Sequence, residues 1–151
     1  MANLYFENAH IWGLNFSGQN DPFKTGRLGF NISIEDEEEA RRLEADGLNV
    51  KWPKPRPDID PEEDYRKPFI AVKVRFDLYP PKVVLISNGN NTLLDGTNAG
   101  MLDSAMFEKV DLVLNTSAYK GTGTIPAGIS VYLKSGYFTL ESDRFTDKYG
   151  I

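Results

Sequence analysis

The chain has 151 residues, carries a formal net charge of −5 and contains no cysteine. That length holds one domain with a substantial core and is short for two. The missing cysteines exclude disulfides, thiolate metal sites and a Cys nucleophile; the acidic balance argues against a surface that binds nucleic acid all over, although a local patch sets its own field whatever the net charge.

Met1 to Glu7 carries no functional weight, because its NLYFE stretch resembles a protease-recognition tag. The opening MANLYFENAHIW lacks the basic region and small-residue cleavage site of a signal peptide. No apolar run has the length of a membrane span, so a soluble, cytoplasmic protein is expected. His10 to Phe16 and Leu28 to Ile34 read as strands, separated by the turn-forming GQNDPFKTG. Trp12 shares parity with Leu14 and Phe16 and is expected in the core.

SIEDEEEARRLEADG reads as the one convincing helix. Ser33 or Asp36 can cap its N-terminus, and acidic residues fill the first turn, where the helix dipole favours them. Ala40 and Leu43 form a narrow apolar stripe, and Gly47 suits the C-terminal cap. Glu37, Glu38 and Glu39 are consecutive, so they fan around the helix and do not converge on a metal. Leu48 to Trp52 is the next expected strand, with Leu48, Val50 and Trp52 facing the core and Lys51 facing away. PKPRPDIDPEEDYRKP carries Pro53, Pro55, Pro57, Pro61 and Pro68. It is expected to be a long charged loop over 53–68, since proline excludes a helix interior or a central strand.

FIAVKVRFD, Phe69 to Asp77, alternates: Ile70, Val72, Val74 and Phe76 share one parity, and Phe69, Ala71, Lys73, Arg75 and Asp77 the other. In a strand these parities are opposite faces. Phe69, at the strand's start, can equally stack on a base or cover the end of a barrel. Lys82 to Ser87, Phe107 to Tyr119 and Gly128 to Leu140 complete the expected strands, with LYPPK, SNGNN and KGTGTIPAG as turns. The count is about seven strands and one inserted helix. The expected fold is all-β: an OB-like five-stranded Greek-key barrel with extra strands, as one domain over 1–151. A β-sandwich fits nearly as well.

Catalytic signatures are missing. His10 is the only histidine and there is no G-x-S-x-G elbow. GTGT lacks the Lys-Ser/Thr of a phosphate-binding loop and reads as a hairpin tip. Asp95 and Asp103 do not follow Ca²⁺-loop spacing and read as turn caps. Neither a metal nor a cofactor is expected.

What remains is a binding face. Lys73 and Arg75 lie on the outer parity of their strand. Ser130, Tyr132 and Lys134 share a parity opposite Ile129, Val131 and Leu133; Tyr119 and Lys120 end the Phe107 strand, and Lys51 lies opposite Val50 and Trp52. Cations suit phosphates and flat aromatic rings suit unstacked bases, which is how single strands are held without sequence preference.

Several stretches, in order through nearly the whole chain, resemble phage and prophage single-stranded DNA-binding proteins of the Enc34-like type with a modified OB fold. They are NFSGQNDPF, GRLGFNISI, RLEADGLNVKWPKPR, FIAVKVRF, PPKVVLIS, LLDGTNAGMLDSAMFEKVDLVL and AGISVYLKSGYFTLESDRFTDKY. The resemblance implies a non-enzymatic protein that coats single-stranded DNA in phage replication or recombination, with phage replication proteins as further partners. It implies Arg27, Lys51, Lys73, Arg75 and Lys134 as cationic contacts and Tyr132 as the stacking residue. Where such proteins carry an Arg-Pro-Tyr-like stretch this chain has Asn115 to Tyr119, and it ends in TDKYGI instead of a long acidic tail. Both departures weaken parts of the analogy: one cation of the site, and tail-mediated recruitment. The acidic helix is expected to shield the empty site or speed release. A protein-interaction module of a replisome or virion is the alternative reading, and a carbohydrate-binding β domain the third. A free strand edge leaves room for a homodimer.

Overall fold

The structure, a computed structural model, describes residues 3–19, 27–54, 56–60, 62, 64, 66–124 and 126–141. These residues form β1 (Asn3–Phe6), β2 (His10–Asn15), β3 (Leu28–Ser33), α1 (Glu37–Ala45), β4 (Phe69–Val74), β5 (Lys82–Ser87), β6 (Asn90–Leu94), a 3-10 helix (Ala99–Ser104), β7 (Phe107–Tyr119) and β8 (Gly128–Leu140).

All eight strands belong to one sheet, ordered β1-β7-β8-β4-β3-β2, with a β5–β6 hairpin joined to β8 through β5. β1 pairs with β7 and β2 pairs with β3, yet only three residues separate β1 from β2. The two are halves of one bent strand. Asn8 sits at the bend with φ 51°, and the Ala9 amide donates to the Val110 carbonyl at 2.7 Å. Asn tolerates that left-handed backbone better than most residues. The bend carries the chain from one end of the strand order to the other and closes the sheet on itself. The expected OB-like five-stranded barrel is therefore present: β1–β2, β3, β4, β8 and β7 form it, and β5–β6 are the extra strands.

β8 is the hub. Its first half pairs parallel with β4 through Lys73 and Tyr132, its second half parallel with β5 from Lys82–Ser135 to Ile86–Thr139, and its other edge antiparallel with β7. Between Leu133 and Ser135 it takes two steps where β7 takes one, which leaves Lys134 as the extra residue of a bulge. The bulge lies where β8 passes from one neighbour to the other.

The barrel interior holds Phe16, Phe30, Ile32, Ile70, Val72, Val74, Leu112, Leu114, Leu133 and Phe138, all buried. On β4 the expected alternation holds, with Ile70, Val72 and Val74 buried and Ala71 and Lys73 exposed. Phe16 stacks on Phe30, and the edge of Phe138 meets Phe16, with ring centroids 5.7 and 5.9 Å apart.

α1 starts at Asp36, not Ser33, which is the last residue of β3. The Asp36 carboxylate accepts from the Glu38 amide at 3.0 Å. Gly47, φ 104°, ends the helix: its amide donates to Glu44 and the Leu48 amide to Leu43, the paired bonds of a Schellman cap. Ala40 and Leu43 are buried, as their stripe requires.

Four expectations need correction. Leu48 to Trp52 is not a strand. It makes isolated bridges to Ile129 and Phe69, because a Val50 amide to Leu48 carbonyl bond of 3.0 Å bends the chain into a three-residue turn. Leu48 and Val50 are nevertheless buried and Lys51 exposed. β4 ends at Val74 instead of Asp77: the Tyr79 amide bonds the Arg75 carbonyl and curls the chain away. β1 and β6 were not expected. β1 lies in the stretch set aside as tag-like, and Asn88, φ 51°, with Gly89, φ 79°, folds SNGNN into a tight hairpin turn that launches β6. Finally, Trp12 faces outward and is 45% exposed. Trp12 pairs with Asn31 and Asn15 with Gly29, so β2 takes three steps where β3 takes two. Gly13, φ 65°, supplies the extra residue and puts Trp12 and Phe16, equal in sequence parity, on opposite faces.

Of the 53–68 loop, positions 55, 61, 63 and 65 lie outside the described residues. In the remainder Arg56 pairs with Asp58 and Arg66 with Asp64, each a bidentate bond, and Arg66 also reaches the Lys54 carbonyl at 2.6 Å. The hydrogen bonds from Arg66 hold the Asp64 carboxyl down at about 2.

Candidate nucleic-acid interface

Strand pairing assembles the outer face in rows. Directly paired residues lie side by side, so Gly29, Lys73, Tyr132, Asn115 and Asn3 form one row across β3, β4, β8, β7 and β1. Trp12, Asn31 and Ala71 form a second row, and His10, Ser33, Phe69 and Lys51 a third. Each of the two outer rows brings a cation to an aromatic ring.

At the first row a cleft of about 670 Å³ opens, lined by Arg27, Leu28, Lys73, Val74, Arg75, Phe76, Asp77, Gly96 and Tyr132. The Lys73 ammonium lies 5.8 Å from the Tyr132 ring centroid and 3.3 Å from the Ser130 hydroxyl. Tyr79 and Tyr132 pack edge to face at a centroid distance of 5.8 Å. Arg75 grips Asp77 with two bonds, Nε to Oδ1 at 3.0 Å and a terminal nitrogen to Oδ2 at 2.9 Å. Those bonds hold the Asp77 carboxyl below its ordinary range and raise the guanidinium further. Three cations against one carboxylate leave the cleft positive on a chain whose net charge is −5. Gly29 keeps the row low. A Cβ there would collide with the Val72 carbonyl oxygen, a backbone atom that cannot yield.

Of the eight residues expected from the sequence, Arg27, Lys73, Arg75 and Tyr132 meet in this cleft. Lys51 lies elsewhere, with its ammonium 5.8 Å from the Phe69 ring centroid. Tyr119 ends the β7–β8 ladder opposite Gly128, four residues before Tyr132, as Phe69 lies four before Lys73; Lys120 follows at the hairpin. Lys134 protrudes from the bulge and does not line the cleft.

Sequence reading missed Trp12, Tyr79 and the role of Asp77. Trp12 and Phe69 pack edge to face at a centroid distance of 4.8 Å. Only Gly13 beside Trp12 hinted at a bulge. Tyr79 falls in a stretch read purely as a turn, and no pattern placed it against Tyr132. Trp52, by contrast, packs partly buried against the core with its indole N–H on Glu44 at 2.8 Å.

Asp95 caps its own turn through the Thr97 amide and hydroxyl, and the Thr97 hydroxyl bond is foremost in holding its carboxyl below the ordinary range. Asp103 instead takes the amides of Phe16 and Ser17, at 2.6 and 3.1 Å, together with the Ser17 hydroxyl. It clamps the end of β2 across the chain. Among the described residues no cluster of three acidic or histidine side chains could hold a metal, and no helix is long and apolar enough to cross a membrane.

The profile of the family described as "Putative phage ssDNA-binding domain" matches residues 1–151. Among curated proteins none matches at a significant level. Among solved structures, the single-stranded DNA-binding protein from bacteriophage Enc34 superposes with a TM-score of 0.56 at 13% identity, over 95% of this chain and 83% of that one. Its C-terminal truncation gives 0.55 at 12% identity, over 93% and 87%. The same phage protein in complex with ssDNA gives 0.52 at 9% identity, over 95% and 89%. At these identities the structures share the fold.

Proposed function

The chain belongs to the phage ssDNA-binding domain family, and from that premise we propose that it binds single-stranded DNA, without strong sequence preference, across the outer face of β3, β4 and β8. The observation that carries the reading is the positive cleft in which Lys73, Arg75 and Arg27 surround Tyr132. Phosphates are drawn to the cations, and a base can stack on the tyrosine ring, an interaction that every base can make. Lys51, Tyr119, Lys120 and Lys134 are proposed as outlying contacts along the strand's path. The reading assigns no catalytic step, and it treats residues 1–151 as one binding domain carrying the 53–68 loop. The setting it implies is the cytoplasm of the host bacterium during phage replication or recombination.

Titration of labelled oligo-dT across a range of salt tests it. Affinity should fall with salt, with a log–log slope of about −0.7 for each phosphate neutralised. Replacing Lys73 and Arg75 together by Gln should weaken binding and flatten that slope by about 1.4, the share of two phosphates. No binding at low salt would refute the reading.

A further inference from the structure

Resting on that reading, we infer that Trp12, Phe69 and Lys51 form a second base-stacking station, and that one DNA strand occupies it together with the Tyr132 station. The placement follows from β4, whose residue 69 belongs to one station and residue 73 to the other. Four residues of strand at about 3.3 Å each separate them by about 13 Å.

Trp12 is a large aromatic with nearly half its surface in solvent, on the outer face of a sheet whose core already holds ample aromatics. The Gly13 bulge turns it there. Phe69 packs edge to face with it and fixes its orientation, and the Lys51 ammonium stands over Phe69. The same pair of side-chain types that defines the Tyr132 cleft, an aromatic ring with a lysine beside it, is thus repeated at the other end of β4.

The ground between the stations is low and uncharged: Asn31, Ala71 and Ser130 face outward there. A strand can cross it without meeting a bulky side chain, and the amide and hydroxyl groups can bond to bases or sugars. At the ~3.4 Å per nucleotide of a stacked strand, the span corresponds to roughly four nucleotides. That lies at the lower end of the ~4–16 nucleotides occupied per OB fold.

The test uses the full chain with Trp52 replaced by Phe, so that Trp12 is the sole tryptophan and is excited beyond the tyrosine absorption band. Oligo-dT of about twelve nucleotides, within the usual site sizes, is titrated while anisotropy of a label on the DNA reports binding independently. Trp12 emission should be quenched saturably, in step with the anisotropy. In the otherwise native chain Trp12→Ala should weaken binding by about 5- to 160-fold, the range for losing one stacked base, whereas Trp12→Phe should retain most of the affinity. Emission that stays constant while anisotropy shows saturation, or a folded Trp12→Ala protein with native affinity, would overturn the second station and leave the Tyr132 cleft standing. A native chain that binds no oligo-dT would instead defeat the reading on which the inference rests.

Discussion

β4 and β2 lie on the two sides of β3 and contribute to the same outer face, but they deliver their side chains by different rules. In β4 the alternation runs unbroken, and Ile70, Val72 and Val74 go in while Ala71 and Lys73 go out. In β2 the extra residue at Gly13 breaks the alternation, and Trp12 goes out while Phe16 goes in. An uninterrupted strand states its faces in sequence. A bulged strand states them only relative to its partner.

The sharpest contrast lies within β4. Ile70→Ala removes a side chain that is 1% exposed and should cost about 2–5 kcal/mol in urea unfolding. Lys73→Gln, three residues on, should change stability by less than about 0.5 kcal/mol. Equal costs would mean that the two faces of the strand have been misassigned. The next effect concerns binding alone. Tyr132→Ala should reduce oligo-dT affinity by about 1–3 kcal/mol, with a salt slope near that of the native protein, because a ring neutralises no phosphate.

β2 supplies the third. Gly13 has φ 65°, and an added Cβ would lie 2.9 Å from the Asn31 side-chain nitrogen Nδ2. Gly13→Ala should destabilise the chain by about 1–2 kcal/mol, measured by the same unfolding experiment. A fully native stability would show that the bulge is not held by this residue. The smallest effect is expected at Asp77. Arg75 holds its carboxyl below the ordinary range, so the ion pair stays charged through neutral pH. Asp77→Asn should free Arg75 and tighten oligo-dT binding, by less than about fivefold, since exposed ion pairs are weak. Weaker binding would indicate that Asp77 holds Arg75 in its working orientation.

Much of this molecule was legible along the chain. The bounds of β5, β7 and β8 follow from their own residues, as does α1 up to its Gly47 cap, while the choice of Asp36 over Ser33 at its start does not. Half the expected contacts, Arg27, Lys73, Arg75 and Tyr132, do converge on one cleft. β1 and β6 were passed over because one looked like a tag and the other has a polar start, NNT, with only Leu93 and Leu94 after it. Leu48 to Trp52 has strand composition and parity, but two different partners and a tight turn prevent a ladder.

Sequence by itself determined what is local: hydrophobic period, cap and turn chemistry, and the residues that put the chain in its family. Tertiary structure decided what depends on a partner. Lys73 and Tyr132 are 59 positions apart, and only the parallel pairing of β4 with β8 sets them side by side. The bend at Asn8 closes the barrel because β1 finds β7 while β2 finds β3. The bulges at Gly13 and Lys134 arise from register against a neighbouring strand. A period of two is a property of one chain segment, whereas an extra residue exists only by comparison with the strand across from it.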